Sequence, residues 1–273
     1  MLKNKKIIIW VVFGVLVFVV VAPVFIGELN RSDLEIVIFD VGQGDSIYIE
    51  TKNNFQALID GGPTPAVLEK LGQEMPFYDR TIEFIVLTHP DHDHLLGLLE
   101  VLKRYEVKNI LWTGVVKDSA EYKEWVKLLE QEKANVIIAQ AGQKINLQKS
   151  DLYLLVLYPF ESLEGKEVKD SNDTSVVLKL VFKNNSFLFM GDISSKLENE
   201  ITDVDADILK VAHHGGKNSS SAEFIQSVSP KTAVISVGDN SYGHPSEEVL
   251  QLFKQFGIQV LITKELGDIR FVF

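Results

Sequence analysis

The sequence predicts an α/β domain made of two duplicated halves, with two strand layers held between outer helices and an apolar segment ahead of them. Three observations predict it. A hairpin–helix–strand order occurs twice, all six histidines fall just after apolar strands, and an uncharged run precedes the first of these elements. A chain of 273 residues, 46% of them hydrophobic, suffices for one α/β domain. The charged and aromatic fractions, 24% and 10%, exclude a disordered chain. There is no cysteine, which excludes a disulfide framework, a thiolate metal site and a thiol nucleophile. Any metal must be held by histidine and carboxylate.

Positions 7–27 carry no charge and almost no polarity. At about 1.5 Å per residue, a helix of that length crosses the roughly 30 Å hydrocarbon layer. Lys3, Lys5 and Lys6 precede the run, while Glu28, Arg31 and Asp33 follow it. The positive-inside tendency then keeps the N-terminus cytoplasmic and turns the remainder outward. The expected organisation is a tip and single-pass membrane anchor at 1–30, with one extracellular domain at 31–273. The alternative is a secreted form made by signal cleavage. Against it stand a core longer than about 7–15 residues and Pro23 directly after Ala22, a poor cleavage site.

The first half opens with a strand at 44–50, a Lys-Asn-Asn turn at 52–54 and a strand at 55–59 that ends at Asp60. The second opens with a strand at 174–182, the same turn residues at 183–185 and a strand at 186–190 leading to Gly191 and Asp192. Asparagine-rich turns between β-branched and aromatic runs are hairpin signals. A helix follows each hairpin, at 64–75 and 193–203, and then a strand running to His89 or to His213. Helix 94–104 and strand 109–113 match helix 221–228 and strand 232–237, and a further helix–strand pair follows at 120–140 and at 246–263. Such an order buries two strand layers between helices and brings strand ends to one shared edge. Trp112 and Trp125 belong to the core on this reading.

The formal net charge is −11, and the three lysines near the start leave the remainder more acidic still. Duplex DNA is usually held by a stripe of Lys and Arg. Only scattered basic residues are found, such as Lys103, Arg104, Lys108 and Lys210. This speaks against tight non-specific DNA binding.

The histidines are His89, His92, His94, His213, His214 and His244. The segment Thr-His-Pro-Asp-His-Asp-His at 88–94 packs three imidazoles and two carboxylates together. A loop lets alternate side chains point at one centre, and this donor set suits zinc or manganese. Asp60 and Asp192 end strands beside this loop, where a buried lone carboxylate is costly; the alternative for each is a helix N-cap. His213 occupies the place that His89 holds in the first half, which favours it over His214 as a ligand and leaves His214 in support. For His244, a turn-stabilising role and a chemical one stand level. The stretch at 39–46 lacks the spacing of a phosphate loop and reads as a tight turn into the edge of the site.

His-Pro-Asp-His-Asp-His resembles the signature of the metallo-β-lactamase fold, whose duplicated halves form an αββα sandwich with a dinuclear metal site at its edge. More narrowly, six stretches resemble the metallo-β-lactamase-like domain of the ComEC DNA-uptake (competence) proteins. They are Phe-Asp-Val-Gly-Gln-Gly-Asp-Ser (39–46), Leu-Ile-Asp-Gly-Gly (58–62), Asn-Asp-Thr-Ser-Val-Val-Leu (172–178), Phe-Met-Gly-Asp-Ile (189–193), Leu-Lys-Val-Ala-His-His-Gly (209–215) and Tyr-Gly-His-Pro (242–245). The resemblance implies His89, Asp91, Asp93, His94, Asp192 and His213 as the shell of two divalent ions, Zn or Mn. Asp60 becomes an orienting residue, and Asn172 stands where many relatives supply another histidine. Gly216 departs from the serine common at its position. The single apolar segment at 7–27 is too little for the many-span channel of the DNA-uptake proteins, so the expectation carried over is hydrolysis rather than transport.

Two metals activate a water and neutralise charge on the reacting centre. Asp91, where many relatives have histidine, tilts the set toward harder ions such as Mn²⁺. Asp93 then binds metal and orients the attacking group, and His244 is the candidate general acid. The expected function is a membrane-anchored, extracellular metal-dependent phosphodiesterase or nuclease whose substrate is a phosphodiester such as DNA; no protein partner is predicted. The alternatives are hydrolysis of a small or cell-surface phosphoester or of a lactone or lactam, and a non-catalytic metal-binding module.

Overall fold

The computed structural model describes residues 32–147 and 152–273, together with Trp10 and Phe18. The expected membrane span at 7–27 otherwise lies outside the described residues, and no helix among the described residues is long and apolar enough to cross a membrane.

The first half comprises β1 (Leu34–Ile38), β2 (Ile47–Thr51), β3 (Gln56–Ile59), α1 (Ala66–Glu74), β4 (Thr81–Val86), α2 (His92–Leu102), β5 (Glu106–Trp112), α3 (Ala120–Gln131) and β6 (Asn135–Ile138). The second comprises β7 (Lys144–Asn146), β8 (Leu152–Tyr158), β9 (Val177–Phe182), β10 (Asn185–Phe189), α4 (Ser195–Glu198), β11 (Ile208–Lys210), α5 (Ala222–Val228), β12 (Thr232–Ile235), α6 (Glu247–Gln255), β13 (Gln259–Ile262), α7 (Thr263–Leu266) and β14 (Ile269–Val272). The two 7-stranded sheets run β14-β1-β2-β3-β4-β5-β6 and β13-β12-β11-β10-β9-β8-β7.

The repeat read from the sequence is thus a repeat of structure. In each half an antiparallel hairpin (β2–β3, β9–β10) is followed by parallel strands on the outer side of its second strand. The halves also share a strand. β7 opens the second half and pairs antiparallel with β8, whereas β14, at the end of the second half, crosses over and pairs antiparallel with β1.

Alternation along the strands builds three apolar layers. Ile36, Phe84, Leu154, Leu178, Phe187 and Val234 meet between the sheets. Val37 and Ile85, pointing the other way, pack with Leu95, Leu98 and Trp125 under α2 and α3. Leu188 and Leu209 pack with Phe224, Ile225 and Phe253 under α5 and α6. Helix, sheet, sheet and helix follow in that order, and both Trp112 and Trp125 lie in the core.

Two expected elements of the second half differ. The strand expected from 174 starts at Val177, because 172–174 form a 3-10 turn in which Thr174 Oγ1 donates to Ser171 O at 2.6 Å. The helix expected over 193–203 is cut to the four residues of α4. Beyond it Asp203 takes a left-handed φ of 59°, and Ile201, Val204 and Ala206 bury themselves from a loop. Glu198 ends this short helix fully buried, accepting hydrogen bonds from the backbone N–H groups of Ser220 (2.6 Å) and Ser221 (3.1 Å).

Burial pushes the Glu198 carboxyl up to about 7 in spite of those two donors. The folded protein therefore holds this proton more tightly than the unfolded chain does. Its contribution to stability is complete below about pH 4.5 and is lost as pH rises through about 7, an effect on the order of 3 kcal/mol. Urea unfolding across pH 5–8 should show stability declining over this window, and Glu198→Gln should flatten the decline.

Candidate metal centre

Parallel strands end at one edge, and the functional side chains leave from those ends. Asp60 directly follows β3, Thr88 and His89 follow β4, Asp192 follows β10, His213 and His214 follow β11, and Ser236 follows β12. Asp93 and His94 lie in the first turn of α2, which is fixed by backbone contact. Gly61 N–H donates to His94 O (2.8 Å), Gly97 N–H to Gly62 O (3.0 Å) and Asp45 N–H to Asp93 O (3.2 Å). The approach requires glycine, since a Cβ on Gly97 would stand 1.9 Å from Gly61 O and one on Gly44 2.2 Å from Asp93 O.

The donor atoms of Asp93, His94, Asp192 and His214 all lie within 4.8 Å of one another. Asp192 Oδ2 is 3.4 Å from both His94 Nε2 and His214 Nε2, and His214 Nε2 is 3.2 Å from Asp93 Oδ2. His89 Nε2 and His213 Nε2 flank the same Asp192 oxygen at 4.0 Å each. His213 therefore stands to Asp192 as His89 does, which is the parallel read from the strands. The parallel does not reveal His214, whose ring goes deeper into the cluster while His213 stays half-exposed. Consecutive left-handed φ values at His213 (50°) and His214 (53°) send the two neighbouring rings to different depths. Histidine is among the side chains that tolerate this conformation.

Hydrogen bonds fix which nitrogen of each buried ring carries the proton. Thr88 Oγ1–H donates to Asp60 Oδ2 (2.6 Å) and Ser175 Oγ–H to Asn172 O (2.7 Å). With both hydroxyl protons committed, His89 Nδ1 must be the donor to these oxygens, at 3.1 and 3.2 Å. His94 Nδ1 donates to Asp60 Oδ2 (2.8 Å), and His214 Nδ1 to Ser236 O (2.9 Å). In the neutral form each ring then aims an Nε2 lone pair at Asp192 or Asp93. His89 Nε2, His94 Nε2 and Asp192 Oδ1 are buried without a hydrogen-bond partner. Lone pairs facing carboxylates in a dry pocket require a cation, so the donor set fits divalent metal.

The same field acts on protons. Burial opposes charge on His94, yet Asp192, Asp60 and Asp93 outweigh it and hold the ring well above the usual imidazole range. At His214 burial is likewise outweighed, by Asp192, Asp45 and Asp93. Burial and the neighbouring His94 push His89 down.

Asp60 does not cap a helix. It accepts the Thr88 N–H (2.8 Å), the Thr88 hydroxyl and His94 Nδ1–H, and so orients His94. Asp91 is turned toward Lys117 and Ser171, with which its Oδ1 makes short contacts. Asn172 Nδ2 lies 3.3 Å from His213 Nε2. His92 sits at the rim, 3.4 Å from Glu121. The His244 ring stands 5.1 Å from that of His213, its Nδ1 without a partner, and burial together with His213 and His214 holds it below the usual range. At Gly216 a Cβ would come 2.8 Å from His244 Nε2, so the missing side chain leaves this ring its place. The cluster opens into a cleft of about 560 Å³ whose mouth carries Tyr242, Asn240 and Asp239.

Sequence reasoning missed Asp45 and Lys210 as site residues. Lys210 Nζ donates to Asp45 Oδ2 (2.7 Å) and Val211 O (3.0 Å), and Asp45 Oδ1 lies 3.5 Å from His214 Nδ1. Both side chains are buried. Burial would raise the Asp45 carboxyl, but Lys210 and His214 hold it below the ordinary carboxylate range. The signal was a lone lysine inside an apolar strand, a position that demands a buried partner.

Residues 39–239 match the metallo-beta-lactamase superfamily, and the chain belongs to it. It is 33% identical over 270 residues to ComE operon protein 3 of Bacillus subtilis (strain 168), covering 90% of this chain and 34% of that protein. It is 28% identical over 271 residues to Competence protein ComA of Neisseria gonorrhoeae, covering 96% and 35%. The ComEC-type resemblance is thereby borne out, and the chain spans about a third of the length of these relatives. The crystal structure of the metallo-beta-lactamase fold protein YhfI from Bacillus subtilis superposes with a TM-score of 0.61 at 13% identity, covering 88% of this chain and 99% of that one.

Two outcomes test the supports of this centre. Lys210→Met takes from buried Asp45 its ammonium partner and should cost about 3–5 kcal/mol in urea unfolding; adding Asp45→Asn should recover much of it. Asp60→Asn should weaken Mn²⁺ or Zn²⁺ binding about 10–100-fold, measured by metal titration.

Proposed function

We propose that this chain is a metal-dependent phosphodiesterase acting on nucleic acid or a similar phosphodiester, held at the outer face of a membrane by the apolar segment at 7–27. The observation that carries the catalytic part is the set of imidazole lone pairs converging on Asp192 and Asp93 beneath an open cleft. Relatives named as competence proteins support a nucleic-acid substrate. The apolar run with lysines before it supports the anchor.

On this reading Asp93, His94, Asp192 and His214 would hold one ion, while His89, Asp91 and His213 with Asp192 would hold a second. When bound, the ions would supply an acidified water and would neutralise charge on the phosphoryl oxygens. Asp93, part-exposed between the cluster and the cleft, would accept a hydrogen bond from the attacking water and orient it toward phosphorus. His244, beside His213 at the mouth, would donate to the departing oxygen when protonated, a state that burial and the neighbouring histidines confine to the acidic side of neutrality. No Lys or Arg is among the residues lining the cleft. The substrate's charge would therefore be met by the metals and the imidazoles, and Asp91, where many relatives have histidine, tilts the donor set toward Mn²⁺.

The test is cleavage of single-stranded DNA and of bis(p-nitrophenyl) phosphate by the full chain with Mn²⁺ or Zn²⁺. Asp93→Asn should lower turnover about 10²–10⁴-fold, and His244→Ala should lower it while leaving bound metal unchanged. Cleavage of the small diester alone would move the reading to small or cell-surface phosphoesters. Bound metal with neither substrate cut would sink the phosphodiesterase assignment.

A further inference from the structure

The two halves of the metal centre are not built alike. At Asp93, His94, Asp192 and His214 the two carboxylates face imidazoles. The far nitrogens of both rings are spent on Asp60 and on Ser236 O, and no lysine or arginine among the described residues pairs with Asp93 or Asp192. The outer position is different. Its carboxylate, Asp91, already has a cation, because Lys117 Nζ and the Ser171 hydroxyl both donate to Asp91 Oδ1.

This contact is held from several sides. Lys117 Nζ also donates to Ser171 Oγ at 2.8 Å. Val116, its chain neighbour, donates its N–H to Lys166 O (2.9 Å) and accepts from Val168 N–H (3.0 Å), which ties the Lys117 loop to the segment leading to Ser171. Ser171 is itself fully buried, and its carbonyl caps the 3-10 turn that carries Asn172. Lys117 is also unlike Lys210, the other lysine paired to a carboxylate of the site. Lys210 and Asp45 are 2% and 3% exposed, whereas Lys117 and Asp91 are 22% and 27% exposed, and Asp91 lines the cleft. One ammonium serves the frame; the other pairs with a carboxylate of the cleft.

We propose that Lys117 makes the metal centre unequal, by holding Asp91 in an ion pair with which any cation at the outer position must contend. An ion on the remaining Asp91 oxygen sits beside an ammonium, and an ion that takes Oδ1 must displace it. Either way the like charge weakens binding at the outer position and leaves the inner one untouched. The inner ion is then resident and the outer ion is exchangeable. Lys117 is a positioning residue in this scheme, acting through Asp91. The inference rests on the two-ion reading above, but its measurement does not depend on any substrate.

The experiment is isothermal titration calorimetry of the metal-stripped full chain with Mn²⁺, for the native protein, Lys117→Met and Lys117→Arg, each checked for folding by thermal unfolding; Lys117→Gln replaces Lys117→Met should the latter not fold. The native protein should show two steps with the second weaker by about 10–100-fold, a spread of the size that neighbours of ligands impose. Lys117→Met should strengthen the weaker step about tenfold and leave the tighter one in place, while Lys117→Arg, which keeps the charge, should leave both. Two equal steps in the native protein, a single step in both it and Lys117→Met, or an unchanged weak step in Lys117→Met would each overturn the proposal. Absence of any binding would overturn it together with the metal-dependent function. Two unequal steps in a protein that cleaves no phosphodiester would tell against that function alone.

Discussion

The structure turns on one electrostatic constraint: imidazole lone pairs and carboxylate oxygens face each other in a pocket from which water is largely excluded. Asp192 Oδ2 sits 3.4 Å from two ring nitrogens, and His89 Nε2, His94 Nε2 and Asp192 Oδ1 have no hydrogen-bond partner. Such an arrangement is repulsive unless a positive charge lies at its centre, whether protons on the rings or divalent ions. The shift of His94 and His214 to far more basic behaviour and the fit to metal are two expressions of the same field. Protons and metal compete for these nitrogens, so metal occupancy must fall as pH falls.

Keeping that constraint in place occupies much of the surrounding polar structure. Asp60 spends both oxygens on Thr88 and His94, and Asp45 is neutralised by Lys210 while it steadies His214. Neither is left to compete for the ion, although both lie within 4.8 Å of a His94 nitrogen. The backbone does the rest. The close seating of α2 against the loops at Gly44 and Gly61 sets where Asp93 and His94 begin, and no larger residue than glycine fits those contacts. Rigid elements carrying a preorganised ligand set are what a metal site of defined geometry needs.

Much of this was legible in the sequence. The hairpins around Lys52 and Lys183, the strands running to His89 and His213 and the two-layer frame follow from local pattern, and the chain folds accordingly. What escaped was non-local. β1, β7, β8 and β14 gave no hairpin-and-helix signal, and the crossing of β14 to the first-half sheet is decided by which sheet edge needs a partner strand. The helix at 193–203 was over-read because apolar spacing says nothing of the tertiary contacts that bury Ile201 and Val204 from a loop. In the site, the histidine and aspartate positions were legible, but the depth of His214 depends on two left-handed residues in succession.

The duplicated frame also explains why residues of one type do different work in its two halves. Asp60 and Asp192 look equivalent in the sequence, each closing a hairpin, yet Asp60 comes one residue after β3 and Asp192 three residues after β10. That offset carries Asp192 past the sheet edge and into the ring of imidazoles, while Asp60 stays at the edge, behind His94. The histidines keep the symmetry that the aspartates break. His89 and His213 each lie three residues beyond their strands, β4 and β11, and each stands 4.0 Å from Asp192. A duplicated frame therefore supplies two matching imidazoles, and one shifted carboxylate between them turns a symmetric edge into an asymmetric cluster.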